Sequence, residues 1–209
     1  MIDIHTHILF NVDDGIETLE ESTEMLKKYK DSGVRYVITT PHVGHPKIKA
    51  DIELIQQNFE ILRQEAEKFG IKLILGSEFY LLPGRNRKYI PILDRFILVE
   101  LDTLNFPLYL FDEIFELQLS GYDVILAHVE RYEWLSKNDK VINKLKDMNV
   151  YFQMNFESVE NDKYFLKNGY IDFLATDNHG KKRSEIDWTV FKKYNLFFEN
   201  TIKIMKLKD

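Results

Sequence analysis

The segment His5-Thr6-His7 carries two histidines separated by a single residue. Side chains in a β-strand alternate between its two faces, so both imidazoles are expected to point the same way. Neutral imidazole is the commonest protein ligand of transition metals. The pair therefore predicts the beginning of a metal site.

Further residues of metal-ligand type follow later apolar runs of the chain. They are Asp14, His42, Glu78, Glu100, His128, Asp177 and His179. Together with the first pair they use five of the six histidines in the chain. A buried carboxylate such as Glu78 is costly without a partner, and a cation would supply one. The pattern predicts a metalloenzyme, with Asp13 as the alternative ligand to its neighbour Asp14.

Short apolar runs alternate with amphipathic stretches, which predicts strands alternating with helices. The predicted strands span residues 2–7, 35–40, 72–76, 96–101, 124–128, 150–155, 173–176 and 196–198. The predicted helices span residues 17–31, 51–69, 112–119, 140–148, 161–168 and 200–207. The stretch 83–88 has the composition of a loop, and its role is left open.

Repeated strand–helix units are typical of a parallel α/β sheet, and about seven units in 209 residues favour a closed or nearly closed barrel. The length suits one domain covering residues 1–209. In a parallel barrel the carboxyl ends of all strands meet at one rim, where active sites form. Because the candidate ligands follow the apolar runs, we expect them to gather at that rim.

Composition excludes several classes of function. The chain has no cysteine, which rules out disulfides, thiolate metal sites and a cysteine-nucleophile phosphatase. Its net charge of −6 offers no basic surplus for nucleic acid, and residues 203–208 are interpreted as a solvated basic helix face. No signal peptide and no apolar run of the ~20 residues that a membrane span needs is recognised. We expect a cytoplasmic protein.

Five short strings carry a resemblance to a known family. They are Asp-Ile-His-Thr-His at 3–7, Asp-Asp-Gly at 13–15, Thr-Pro-His at 40–42, Gly-Ser-Glu at 76–78 and His-Val-Glu-Arg-Tyr at 128–132. The chain resembles the polymerase-and-histidinol-phosphatase (PHP) superfamily, and within it the bacterial CpsB/CapC-type metal-dependent protein-tyrosine phosphatases. It departs at Val43-Gly44-His45, where that family often has a basic pair, and this difference bears on substrate preference.

The resemblance implies a distorted (β/α)7 TIM-like barrel, the PHP fold, holding three divalent metal ions. By analogy His5, His7, Glu78 and Asp177 would bind the first ion. Glu78 would bridge to the second, completed by Glu100 and His128, and Asp14, His42 and His179 would bind the third. The resemblance favours manganese, while a nitrogen and oxygen donor set also suits iron or zinc.

The charge of such a site suits a phosphate monoester. Four carboxylates, Asp14, Glu78, Glu100 and Asp177, would face six positive charges from three divalent ions, which leaves two positive charges for a phosphate dianion. Metals ~3.5–4 Å apart can share a hydroxide, so we expect in-line attack on phosphorus without a covalent intermediate. Arg131 and Arg183 are the predicted phosphate clamps, because guanidinium binds phosphate oxygens in bidentate fashion.

Some other polar and aromatic residues are assigned structural roles. His45 is predicted to lie at the surface rather than to bind metal, and Asp3 to support the site from behind. The aromatic residues Tyr80, Tyr89, Tyr109 and Phe111 are interpreted as packing groups.

By resemblance, the substrate would be phosphotyrosine in a protein, the tail of a bacterial tyrosine kinase that controls capsule or exopolysaccharide synthesis. Two alternatives remain open at this point. One is a small-molecule phosphatase of the histidinol-phosphatase kind, and the other is a non-catalytic metal-binding partner of a polysaccharide export complex.

Overall fold

The computed structural model describes residues 1–84, 87–136, 138–162, 164–183 and 185–208. Nine strands alternate with helices in this part of the chain. The strands are β1 Ile2–Thr6, β2 Tyr36–Thr39, β3 His42–Val43, β4 Lys72–Leu75, β5 Glu78–Tyr80, β6 Phe96–Glu100, β7 Asp123–Leu126, β8 Tyr151–Asn155 and β9 Phe173–Ala175. The α-helices are α1 Leu19–Asp31, α2 Ile52–Lys68, α3 Leu110–Leu119, α4 Asp139–Asp147, α5 Phe156–Val159, α6 Val190–Lys193 and α7 Asn195–Ile204.

Every pairing between these strands is parallel. Strands β1, β2 and β4 form one sheet, and the order β3-β5-β6-β7-β8-β9 forms the other. The predicted α/β class with parallel strands is confirmed. The predicted barrel is not closed by strand pairing, because the pairing is divided between the two sheets.

The division between the sheets has a local cause in two interrupted strands. Residues 40–41 separate β2 from β3, and Pro41 has no N–H with which to continue a ladder. Residues 76–77 separate β4 from β5. Backbone hydrogen bonds nevertheless connect β1 with the segment that follows β9, since the Asp177 N–H donates to the His5 carbonyl (2.9 Å) and the His7 N–H donates to the Asn178 carbonyl (2.8 Å).

The strands and one face of each long helix bury a continuous apolar core. Helix α1 buries Met25, Leu26 and Tyr29, and α2 buries Ile55 and Leu62, at the spacing of one helical face. Both helices begin at a side-chain cap: the hydroxyl of Thr18 accepts the N–H of Glu21, and the carboxylate of Asp51 accepts the N–H groups of Glu53 and Leu54.

Two predicted elements are wrong. Residues 196–198, predicted as a strand, lie inside α7, where Leu196 is 74% exposed while Phe198 and Ile202 are buried at helical spacing. The described residues of 161–168 form turns rather than a helix, because the carboxylate of Asp162 accepts backbone N–H groups from residues 164–166. Residue 163 lies outside the described residues, as do residues 85 and 86 of the predicted loop 83–88.

Within the described ranges, no helix combines the length and the apolar character needed to cross a bilayer.

We expect the Leu98→Ala substitution to lower the free energy of unfolding by about 2–5 kcal/mol, since Leu98 on β6 is fully buried and its loss leaves a cavity. Urea denaturation of the purified variant measures the change. Leu196→Ala is the matched control, because that leucine is 74% exposed and its truncation should change stability by at most about 0.5 kcal/mol. Equal losses in the two variants would contradict the assignment of β6 to the tightly packed core.

Candidate metal centre

The nine predicted ligands gather at the carboxyl-terminal side of the strands. Their ligand atoms form three groups in which all atoms lie within 4.8 Å of one another. The groups are His7, Asp14, His42 and His179; His5, His7 and Asp177; and His42, Glu78 and Glu100. The ninth residue, His128, lies with its Nε2 2.8 Å from Oε1 of Glu78. The structure therefore brings together the whole predicted set.

Three of the histidines are oriented by an oxygen atom behind the ring. The pairs are His5 Nδ1 with Gln153 Oε1 (3.0 Å), His7 Nδ1 with Asp13 Oδ2 (2.7 Å) and His179 Nδ1 with the Asp177 carbonyl (2.8 Å). A carbonyl or carboxylate oxygen only accepts, so Nδ1 carries the proton in each ring. Their Nε2 lone pairs are thereby left for the centre of the cluster, which is the usual arrangement of metal-ligating histidines.

The centre of the cluster favours a bound cation. Nε2 of His5 and Nε2 of His7 are 3.3 Å apart, so two lone pairs face each other. Oε2 of Glu78 lies 3.3 Å and 3.2 Å from these nitrogens, and Oδ1 of Asp177 lies 3.5 Å from both. Burial opposes protonation of His5 and His7, but these carboxylates and Asp13 outweigh it and raise the pKa of both imidazoles.

The second carboxylate shows the same need for positive charge. Burial, together with the nearby charge of Glu78, raises the pKa of Glu100 to about 9. Three buried atoms have no hydrogen-bond partner among the residues that the structure describes: Oε2 of Glu100, Nδ1 of His42 and Nε2 of His179. Burial also lowers the pKa of His42 to about 4, which keeps its ring neutral and able to bind a metal. These nitrogen and oxygen donors fit divalent metal ions.

Asp13 and Asp14 point in different directions. Asp13 accepts from His7 Nδ1 through Oδ2, and the same carboxylate accepts the N–H groups of Gly15 (2.9 Å) and His42 (3.1 Å). Oδ1 of Asp14 lies 3.5 Å from His42 Nε2 and 3.6 Å from His179 Nε2. The geometry places Asp14 among the candidate ligand atoms and Asp13 behind the ring of His7.

The turn that carries both aspartates packs tightly against His7. A Cβ atom on Gly15 would lie 2.2 Å from the His7 carbonyl oxygen, so only glycine fits there. Because Gly15 has no side chain, the turn that carries Asp13 and Asp14 can pack against the first strand.

Both predicted phosphate clamps contact the same carboxylate oxygen. Oδ2 of Asp177 lies 2.8 Å from Arg131 Nη2 and accepts from Arg183 Nη1 at 2.6 Å. Oδ1 of the same residue faces the histidines. The two guanidinium groups are about one-third exposed and line the cavity beside the cluster, so they remain accessible to an anion.

Sequence reasoning missed two polar residues of β8. Gln153 accepts the His128 N–H through the oxygen that also contacts His5, and its amide donates to Asn155 Oδ1. Asn155 in turn donates to Oδ2 of Asp177 (2.9 Å). Asn155 ends an apolar strand, so the rule that found the ligands would also have identified it.

Two other residues have the roles of support and of lining the cavity. Asp3 is fully buried, accepts from the Tyr29 hydroxyl (2.8 Å) and from the Thr176 hydroxyl (2.6 Å), and burial raises its pKa to about 6. It supports the site from behind, as predicted. His45 differs from its predicted surface position, because its side chain is only 15% exposed and lines the metal cavity, with Nε2 3.8 Å from Oε2 of Glu100.

The backbone is strained at two of the candidate ligands. His128 has φ of 31° and Asp177 has φ of 50°, both in the left-handed region that side chains rarely adopt. Such positions cost about 1–3 kcal/mol each and persist where the surroundings impose them. Here the cost accompanies the turning of two ligand side chains into the cluster.

Substitution of the two adjacent aspartates separates an orienting residue from a ligand. We expect Asp13→Ala to weaken metal affinity about 10–100-fold while full metal content returns at saturating metal, since His7 loses only its hydrogen-bond partner. Asp14→Ala should instead lower the number of ions bound at saturation. Elemental analysis and metal titration measure both quantities, with Asp31→Ala at the exposed end of α1 as control. The reverse pattern would make Asp13 the ligand.

Comparisons with a family model and with curated proteins point to the same family. The family described as capsular polysaccharide synthesis, CpsB/CapC, matches residues 1–190. The tyrosine-protein phosphatase CpsB of Streptococcus agalactiae is 31% identical over 201 residues, covering 86% of this chain and 83% of that protein. The putative tyrosine-protein phosphatase CapC of Staphylococcus aureus is 31% identical over 196 residues, covering 86% of this chain and 77% of that protein.

A solved structure supports the fold. It is described as YwqE from Bacillus subtilis and CpsB from Streptococcus pneumoniae, metal-dependent tyrosine phosphatases, and it superposes with a TM-score of 0.84 at 24% identity. The match covers 99% of this chain and 93% of that one. With the metal-ligand cluster in place and the family match over most of its length, the chain belongs to the CpsB/CapC family of capsular polysaccharide synthesis.

Proposed function

We propose that this chain is a metal-dependent phosphomonoesterase that removes phosphate from phosphotyrosine in proteins. One observation carries the proposal: nine ligand-type side chains cluster together, and six of them line a cavity of 360 Å³ with Arg131 and Arg183. Relatives over 86% of the chain are named tyrosine-protein phosphatases, which supports the choice of substrate.

The cluster is proposed to hold three divalent ions, with manganese favoured over iron and zinc. His5, His7, Glu78 and Asp177 would hold the first, Glu78, Glu100 and His128 the second, and Asp14, His42 and His179 the third. Divalent ions in such a site supply Lewis-acid stabilisation of a phosphoryl group and a bound water of lowered pKa. No thiolate competes in this set, since the chain has no cysteine.

The arginines are proposed to bind the phosphoryl group. Arg131 and Arg183 already meet at one oxygen of Asp177, and Arg131 also lies 3.6 Å from Glu157, so both guanidinium groups stand at the edge of the cluster. Each guanidinium carries five N–H donors, which suit several phosphate oxygens. Their fixed positive charge would attract a phosphate dianion and partly neutralise it where it enters the site.

The leaving group explains why a strong general acid is dispensable. Phenolate has a conjugate-acid pKa near 10, several units below that of an alkoxide, so it departs with little protonation.

The Lys47 backbone N–H donates to Nδ1 of His45 (3.1 Å), which places the proton of a neutral His45 ring on Nε2. That nitrogen is 3.8 Å from Glu100 and can donate a hydrogen bond at the mouth of the site.

The biological substrate is proposed to be the tyrosine-rich tail of a bacterial kinase that controls capsule or exopolysaccharide synthesis. This protein is proposed to act on it in the cytoplasm. The family description, which concerns capsular polysaccharide synthesis, supports this context.

Hydrolysis of a phosphotyrosyl peptide tests the proposal. We expect activity that chelation removes, because these nitrogen and oxygen donors suit a divalent cation. Manganese should restore it better than iron or zinc, in line with the family that the chain resembles. The His128→Ala variant should lose at least about 100-fold in kcat/KM, and its circular dichroism spectrum should match that of the parent. A metal-loaded, folded protein without activity toward the peptide would refute the proposal. A turnover of histidinol phosphate tenfold above that of the peptide would instead indicate a small-molecule phosphatase.

The two arginines give a separate prediction. Arg131→Ala and Arg183→Ala should each lower kcat/KM about 10–100-fold, since each removes charge-assisted hydrogen bonds to phosphate worth about 1.5–3 kcal/mol. Steady-state kinetics with inorganic phosphate as competitive inhibitor should show weaker inhibition in both variants. Arg63→Ala is the control, because Arg63 pairs with Glu60 and Glu67 on the exposed face of α2 and should have no effect. Unchanged phosphate inhibition in both site variants would contradict the assigned role.

A further inference from the structure

A second and larger cavity lies next to the metal cavity. It has a volume of 1190 Å³, and its wall includes Val43 and Gly44, which directly follow His42, and Phe79 and Tyr80, which directly follow Glu78. We call this cavity the β3–β5 groove, after the two strands that run from the metal ligands into it. Small-molecule sites commonly have volumes of about 300–1,000 Å³, so the volume of the groove is larger than a single phosphotyrosine side chain would fill.

The groove and the metal cavity adjoin at a pair of rings. His45 lines the metal cavity and Tyr80 lines the groove, and the two rings meet edge to face with centroids 5.1 Å apart. Ile48 lines both cavities. A chain whose modified side chain reached the metals would therefore continue into the groove.

The groove presents apolar surface and positive charge. Leu82 is 44% exposed on its wall, close in sequence to Tyr80. Lys49 and Lys88 are exposed on opposite chain segments of the wall and make no ion pair with any residue that the structure describes. Lys47 adds a third exposed amine at the metal cavity.

Other charged residues on the groove wall offset part of this positive charge. Arg87 pairs with Glu113 and is neutralised. The carboxylate of Asp51 caps α2, where it meets the positive end of the helix dipole. Glu53 remains as an exposed negative charge. The two groove lysines and these two carboxylates are therefore equal in number, and Lys47 at the adjoining metal cavity leaves an excess of one positive charge on a chain whose net charge is −6.

We propose that the β3–β5 groove binds the polypeptide segment flanking the phosphotyrosine, and that it selects segments with acidic and apolar side chains. This inference rests on the proposed function and adds to it a choice among phosphoprotein substrates. The acidic side chains of the segment meet Lys49 and Lys88, and its apolar side chains pack on Leu82 and Ile48.

The test compares three substrates with the manganese-loaded protein: p-nitrophenyl phosphate, a phosphotyrosyl peptide with glutamate on both flanks, and the same peptide with lysine flanks. The parent should have a KM for the glutamate peptide at least about fivefold below that for the lysine peptide, with a difference that shrinks as salt rises. In the double variant Lys49→Glu/Lys88→Glu, the KM for the glutamate peptide should rise at least about fivefold, while p-nitrophenyl phosphate turnover stays unchanged.

The matched control is Lys27→Glu/Lys167→Glu, which makes the same change of net charge at two exposed lysines outside the groove. It should leave all three substrates within about twofold of the parent. Equal KM values for the two peptides in the parent, or equal effects of the groove variant and its control, would overturn the proposal.

Direct binding separates this inference from the proposed function. If p-nitrophenyl phosphate and both peptides resist hydrolysis with every metal, the phosphatase assignment fails. Fluorescence anisotropy of the labelled glutamate peptide with the metal-loaded protein still tests whether the groove binds the peptide. Binding that Lys49→Glu/Lys88→Glu weakens at least about fivefold, and that the control leaves intact, supports it. Absent binding, or binding indifferent to both variants, refutes it.

Discussion

Uncompensated negative charge in a buried place is the constraint on which the rest of the structure depends. Glu78 is 1% exposed, yet its carboxylate has four imidazoles within 3.3 Å, those of His5, His7, His42 and His128. Burial of a carboxylate is unfavourable unless cations or donors surround it. The lone pairs that face each other between His5 and His7 show that hydrogen bonds alone do not meet this need. A bound cation would therefore stabilise this part of the fold as well as supply chemistry.

A shell of polar residues behind the ligands fixes their directions. Gln153 and Asn155 link His5 to Asp177 through a chain of hydrogen bonds across β8. Asp3 connects β1 with the Tyr29 side chain of α1 and with Thr176, just before Asp177. These contacts are buried, where a satisfied polar network gives a unique arrangement and an unsatisfied one is costly. They also explain how the left-handed backbone at Asp177 is maintained.

The interrupted strands position the site and also shape its surroundings. The breaks before β3 and β5 restart each strand at a ligand, His42 and Glu78, and direct the following residues outward to form the groove. The short segment from Val43 to His45, where the sequence departs from the basic pair common in the family, lies between the metal cavity and this groove. Positive charge near the site comes instead from lysines farther along the chain, such as Lys49.

The sequence by itself determined the α/β class, most strands and a group of ligand-type residues that the structure brings together, because parallel strands end at one rim and a polar residue after an apolar run is readable without coordinates. It did not determine residues 196–198, whose three apolar positions suit a strand and a helix equally until Leu196 is found exposed. Only the tertiary structure distinguished Asp14 from Asp13, since two adjacent carboxylates differ by their partners rather than by their spacing. It alone showed that Gln153 supports His5 and that Arg131 and Arg183 share Asp177, because such contacts join residues distant in sequence, and no local pattern records them.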